Sequence, residues 1–186
     1  MQTSFGVEDF RIEGVKLITP FYCEDARGYF MKGLEKEVFH SWNLDLDIYE
    51  EFESYSKQGV LRGMHFQTDE PQIKIVHVIK GKVQDVIVDL RKGSPTYGAY
   101  LEFLLSDENH HFLWVPRGFA HGFLVLSKDA IMSYQCIGKY LKNSDSGICW
   151  NDSTLNIPWK NMHPFLSERD QKLMSFTEFN EKYKGL

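Results

Sequence analysis

The sequence predicts an all-β chain, an antiparallel sandwich or barrel with a few short helices, and three observations lead there. Turn signals fall at short intervals between apolar runs of strand length. Aromatic residues make up 15 % of the chain and are spread along it, which suits a β-rich interior or a site that stacks a flat ring. Helical patterning is confined to two short stretches.

Taken in order, Val15 to Glu24 is the first strand, closed by the turn Asp25-Ala26-Arg27-Gly28. Leu34 to Trp42 predicts a short helix, and Tyr49 to Gln67 holds one or two further strands. Ile73 to Ile79 and Val83 to Leu90 flank Lys80-Gly81-Lys82, which predicts a tight hairpin with glycine at the turn. Tyr97 to Leu105, Phe112 to Val115, Gly122 to Leu126 and Ala130 to Cys136 supply more strands, and Glu168 to Lys184 predicts a helix near the carboxyl end. Neither repeat nor linker interrupts the series, and 186 residues with 42 % hydrophobic side chains fit one domain spanning 1–186.

Side chains alternate along a strand, so parity says which polar groups share a face. Val83, Asp85, Ile87 and Asp89 point one way, and the two carboxylates there are either solvated or line a polar cavity. Lys74 shares its side with Val76 and Val78, an odd place for an ammonium unless it reaches a pocket or the solvent end of the strand. His77 falls with Ile73, Ile75 and Ile79, as a packing residue would. Arg62 and His65 are three apart in the run Gly59-Val60-Leu61-Arg62-Gly63-Met64-His65-Phe66-Gln67, so a regular strand sends them to opposite faces. A bulge at Gly63 would re-aim one of them.

Several function classes are disfavoured by composition. A net charge of −5 gives no bulk attraction for nucleic acid or anionic membrane, so an anionic ligand needs a local Arg and Lys cluster. No stretch approaches the ~20 apolar residues of a membrane span, and the start of the chain lacks a basic region followed by an apolar block, so a cytoplasmic protein is expected. The three cysteines, Cys23, Cys136 and Cys149, have no CxxC spacing and read as reduced structural thiols. None of the seven histidines forms a metal-binding HxH pair with a nearby Glu, so no metal and no cofactor are expected. There is no GxSxG elbow and no cysteine in a basic, glycine-flanked setting. Proton chemistry by His with Tyr, Lys and carboxylates is left.

The strings GVLRGMHFQ from Gly59, KIVHVIKGKVQDVIVDLRKGSPTYG from Lys74, LWVPRGFAHGFLVLS from Leu113, SYQCIGKY from Ser133, GICWND from Gly147 and LSERD from Leu166 are in an order and spacing that resembles the dTDP-4-dehydrorhamnose 3,5-epimerase family. The likeness runs from about Val15 to Asp170. It implies a metal-free cupin-type antiparallel β-sandwich, or jelly roll, usually a homodimer that exchanges strands. It further implies an isomerase acting on a nucleotide-diphosphate 4-keto-6-deoxysugar in the synthesis of cell-surface polysaccharide such as capsule or lipopolysaccharide. Such a reaction inverts a carbon beside a ketone, and needs a base, a group that stabilises the enolate oxygen, and an acid on the opposite ring face.

By this resemblance His65 is the base, Asp170 its partner, Lys74 the group at the carbonyl and Tyr134 the acid. Arg62 and His121 are substrate contacts, with Arg27 and Arg169 as diphosphate partners whose guanidinium forks suit phosphate oxygens. Tyr140 matches the aromatic that stacks on the base, Asp145 an acidic contact, and Phe30 a residue contributed across the dimer interface. The chain departs from the family where Gln-Asp-Asn is replaced by Glu50-Glu51-Phe52, and where an expected acid is Lys32. A carboxylate at Glu50 or Glu51 suits the N1–H and exocyclic amine of guanine, so a GDP-linked hexose or heptose is expected in preference to a dTDP-linked sugar. A 3,4-ketoisomerase and a non-catalytic sugar-nucleotide-binding module are the alternatives; the first needs no acid on the far face, and the second needs no acid or base.

Overall fold

The computed structural model describes residues 2–186 and is an antiparallel β-sandwich. Its strands are β1 (Gln2–Thr3), β2 (Gly6–Asp9), β3 (Lys16–Thr19), β4 (Phe21–Asp25), β5 (Gly28–Lys32), β6 (Glu50–Lys57), β7 (Leu61–Gln67), β8 (Ile73–Lys80), β9 (Lys82–Asp89), β10 (Tyr100–Ser106), β11 (Phe112–Val115), β12 (Phe119–Val125), β13 (Asp129–Ile137) and β14 (Asp145–Gly147). The α-helices are α1 (Lys36–Ser41) and α2 (Phe176–Tyr183), and a single 3-10 turn spans Asp170–Lys172. A six-stranded sheet in the order β2-β3-β11-β8-β13-β6 faces a five-stranded sheet in the order β10-β9-β12-β7-β14, and β1-β4-β5 forms a separate small sheet.

Three apolar clusters explain why the strand sequences are apolar on both parities. Val76, Val78, Val83, Ile87, Leu113 and Phe123 fill the space between the two large sheets. Val86 and Val88, of opposite parity on β9, and Leu90 just beyond it are covered by Trp150, Trp159, Phe176 and Phe179 from the carboxyl-terminal segment. The outer side of the six-stranded sheet is covered by Phe39 of α1 and by Leu44 just after it. Burial of each such side chain contributes about 1.5–3 kcal/mol, so the segment after β14 is part of the core, although it is mostly irregular.

Several expected elements are altered by the three-dimensional arrangement. The stretch from Val15 to Glu24 divides at Pro20 into β3 and β4, which join different sheets, since proline has no N–H to continue a ladder. Lys80-Gly81-Lys82 does not close a hairpin. β8 pairs with β11 and β13, and β9 with β10 and β12, so the turn is a corner between the sheets. Gly81 has φ +86°, and a Cβ there would lie 2.2 Å from the Asp129 carbonyl oxygen. The expected helix from Glu168 to Lys184 shrinks to α2, because Ser175 and Glu178 form a capping box that fixes its start, and Asp170 is drawn into the site. The cysteines are free thiols.

His77 packs on the covered side of the six-stranded sheet, stacked on Phe112 at 4.1 Å between ring centroids, and its Nδ1 has no partner. Burial lowers its pKa from 6.5 to about 4. The unfolded chain therefore takes up the extra proton first, and stability falls as pH drops from 6.5 towards 4, by at most about 3 kcal/mol from this group. The variant His77→Phe is expected to gain on the wild type in urea denaturation as the pH is lowered from 7 to 4.5. Parallel pH dependences in the two proteins would show that His77 is not responsible.

Candidate active site

The strand β7 carries two of the polar groups in question, and its glycine decides where they point. Its register with β12 pairs His121 with His65 and Phe123 with Arg62, with a bulge between. Gly63 sits at that bulge with φ +131°, and a Cβ there would lie 2.5 Å from the Gly122 Cα. Only glycine permits this approach. As a result Arg62 and His65 line the same chamber of about 210 Å³, despite the odd spacing between them.

His65 Nε2 stands 2.7 Å from Asp170 Oδ1. Asp170 is held by the turn before α2, where its own N–H donates to Ser167 Oγ at 3.0 Å. Burial pushes the Asp170 carboxyl up, but the hydrogen bonds from His65, the backbone at Gly63 and Ser167 outweigh it and hold the pKa below the ordinary value. An ionised carboxylate accepts from Nε2–H, which leaves the Nδ1 lone pair as the basic site of His65.

The opposite wall comes from the six-stranded sheet. Lys74 on β8 and Tyr134 on β13 both point into the chamber, as the shared parity of Lys74 with Val76 and Val78 requires. Burial lowers the pKa of the Lys74 ammonium, and the charges of Asp145 and Asp85 offset this only in part. Burial likewise raises the Tyr134 phenol well above its ordinary value, so it is protonated at neutral pH. His121 closes the floor, with Nε2 2.8 Å from Asp85 Oδ2 in a fully buried pair. One of the two β9 carboxylates thus lies behind the chamber floor and reaches it through His121. The other, Asp89, is tied down by Arg91, Ser94 and Thr96.

The chamber opens into a larger cavity of about 370 Å³, and His65, Lys74 and Phe52 line both. Tyr140, Asp145, Arg169 and Glu50 line the outer cavity. Asp145 organises this rim: it accepts from Tyr140 Oη at 3.0 Å and from Arg169 Nη2 at 2.7 Å. Glu50 Oε1 accepts from Gln72 Nε2 at 2.9 Å. Gln67 holds the Tyr140 loop, donating to the Lys139 carbonyl at 3.1 Å and accepting from the Leu141 N–H at 2.8 Å.

Three expected site residues lie elsewhere on this chain. Glu51 follows Glu50 on β6 and therefore points to the other face, opposite Gln135 in register. Arg27 is at the exposed tip of the β4–β5 hairpin, paired with Asp25, and Phe30 on β5 is 57 % exposed. Neither lines the cavities. Phe52, Gln67, Gln72 and Asp85 are site residues not singled out from the sequence as such; the parity of Asp85 on β9 was the available signal. Among the described residues no group of three or more His, Cys, Asp or Glu side chains is gathered as a metal site.

Comparison with known proteins shows the family. The family model described as dTDP-4-dehydrorhamnose 3,5-epimerase matches residues 9–178. The dTDP-4-dehydrorhamnose 3,5-epimerase of Methanothermobacter thermautotrophicus is 45 % identical over 148 residues, 80 % of each chain. Among solved structures, the Legionella pneumophila epimerase in complex with dTDP-4-keto-L-rhamnose superimposes with a TM-score of 0.92 at 34 % identity, covering 97 % of each chain. NovW of Streptomyces spheroides, a 4-keto-6-deoxy sugar epimerase, also gives 0.92, at 33 % identity, covering 97 % of this chain and 92 % of its own. With the His65–Asp170 pair, which joins β7 to the turn before α2, facing Lys74 and Tyr134 on the six-stranded sheet, and with a family model and relatives of this similarity over nearly the whole length, the chain belongs to the dTDP-4-dehydrorhamnose 3,5-epimerase family and is an epimerase of the isomerase class.

Proposed function

We propose that the protein inverts C3, C5 or both in a thymidine-diphosphate-linked 4-keto-6-deoxysugar, as a step in making cell-surface carbohydrate. The observation that carries this reading is the placement of His65 and Tyr134 on opposing sheets across one small chamber, with Lys74 beside Tyr134. His65 Nδ1 takes the proton from the carbon next to the C4 ketone. The C–H electron pair becomes the new carbon–carbon double bond, and the carbonyl pair moves to the oxygen, where Lys74 stabilises the enolate. Tyr134 then gives its phenolic proton to the same carbon from the opposite face as the ketone re-forms. The phenolate regains a proton from solvent and His65 releases its own. Ketoisomerisation makes no use of an acid facing the base from across the chamber, and simple binding makes no use of the His65–Asp170 pair.

The outer cavity, with Tyr140 and Arg169 at its rim, is of the size and character for the nucleotide. The relatives reported above carry dTDP-sugar names or act on 4-keto-6-deoxy sugars, and they favour thymidine over the guanosine expected from Glu50. Glu50 already accepts a hydrogen bond from Gln72, which leaves less acceptor capacity for a purine edge. Arg27 and Phe30 reach a ligand only if a second copy offers its β4–β5 hairpin across the cavity, and we assign the protein a homodimer on that ground.

The test is incubation with dTDP-4-keto-6-deoxyglucose and, separately, its GDP-linked counterpart in D2O, following deuterium at C3 and C5 by NMR. Faster exchange with the dTDP sugar is expected. Exchange with neither sugar would sink the epimerase reading, and faster exchange with the GDP sugar would return the nucleotide to guanosine.

A further inference from the structure

Among the described residues, Phe52 is the one large aromatic that lines both the outer cavity and the inner chamber near the proposed acid, and core packing does not account for it. It lies on β6, the edge strand of the six-stranded sheet, and is 45 % exposed. It sits directly opposite Tyr134 in the β6–β13 register. The two rings are stacked, 4.7 Å between centroids and 15° between planes, while Tyr134 itself is 7 % exposed. The other ring against Tyr134 is His121, which approaches edge-on at 6.1 Å and 73° and is itself held by Asp85. The Tyr134 ring is therefore confined between a flat apolar face and a fixed imidazole. Rotating the phenol about its side-chain torsions would have to displace one of them. Cross-strand aromatic pairs of this kind restrain both partners, and an exposed one at the mouth of a chamber does so where the substrate enters.

We propose that Phe52 is a positioning residue that holds the Tyr134 hydroxyl against one face of the sugar, so that reprotonation occurs there and inversion, rather than return of the proton, completes the cycle. The proposal rests on the reading of Tyr134 as the proton donor. Removal of the proton by His65 does not involve Phe52, since base and carboxylate come from the other side of the chamber. An enolate that misses the Tyr134 proton persists while the proton on His65 is replaced by a deuteron from solvent, and reprotonation from the His65 side then puts deuterium on the carbon without inverting it. The quantity that reports on Phe52 is thus the ratio of inverted product to total deuterium incorporated, and a general loss of folded enzyme does not change that ratio.

The experiment measures both quantities in D2O for the wild type and for Phe52→Ala, Phe52→Leu, Phe52→Tyr and Tyr134→Phe. In Phe52→Ala, measured at saturating substrate, the inverted fraction of the total exchange is expected to drop about tenfold. Phe52→Tyr, which keeps a flat ring, should restore the fraction, and Phe52→Leu, which fills the volume without a flat face, should not. A parallel fall in exchange and inversion in Phe52→Ala, or no change in the fraction, would overturn the proposal. If Tyr134→Phe exchanges without losing inversion, the donor assignment fails and this proposal fails with it. If Tyr134→Phe loses inversion and Phe52→Ala does not, only the role of Phe52 is wrong.

Discussion

Replacing His65 by alanine is expected to reduce deuterium exchange at C3 and C5 by about 100- to 10,000-fold, the range for loss of a positioned general base. At ~1.4 kcal/mol per factor of ten this is about 3–6 kcal/mol of transition-state stabilisation. The substitution also leaves Asp170, 4 % exposed, without its 2.7 Å partner. An unpaired buried carboxylate costs stability, so the alanine variant should melt earlier than the wild type, and loss of activity alone would be ambiguous. His65→Gln separates the two effects: its amide nitrogen falls near the Nε2 position and can still donate to Asp170 but is no base at neutral pH. The glutamine variant should recover much of the stability and none of the exchange, read by thermal melting and NMR on the same samples. Exchange surviving in a folded His65→Gln protein would move the base elsewhere in the chamber.

Tyr134→Phe carries the second-largest effect, with a different signature. The ring stays, so the stack with Phe52 and the packing in the sandwich interior are retained. Only the hydroxyl is lost. Inverted product is expected to fall by about 100-fold or more, the low end for a missing general acid, while proton removal by His65 continues and deuterium still enters the substrate. Because burial holds the Tyr134 phenol well above its ordinary pKa, the group is a proton donor throughout the neutral range, and the wild-type inverted fraction should be flat from pH 6 to 8. Normal inversion in Tyr134→Phe, or a wild-type inverted fraction that titrates in that range, would show that another group supplies the proton.

How much of this was legible beforehand depended on the distance over which each residue acts. Lys74 was readable because strand parity is local: two positions from Val76 and four from Val78, it had to share their side, and that side is the interior. The bulge at Gly63 was readable for the same reason, from a three-residue spacing around a glycine. The guanosine expectation, in contrast, treated Glu50 and Glu51 as equivalent, although parity already separates them, and took no account of Gln72, which occupies Glu50 from 22 residues away. The corner at Lys80-Gly81-Lys82 looked like a hairpin because two apolar strands around a glycine have the same sequence whether they pair with each other or with strands of two facing sheets. Phe52 read only as a departure at a base-reading position, because its stack on Tyr134 exists only once β6 and β13 lie side by side.

The sequence by itself determined the all-β class, the side on which each strand residue falls and, through its motifs, the family and its reaction type. These follow from periodicity and from motif order, both of which are properties of the linear chain. Tertiary structure alone decided that His65 meets Asp170 across 105 residues, that His65 and Tyr134 come from opposing sheets, and that Arg27 and Phe30 stand away from their own chain's cavity. The physical reason is that strand pairing and sheet packing are set by which apolar faces bury one another, and that choice is made by the whole core rather than by any segment of it.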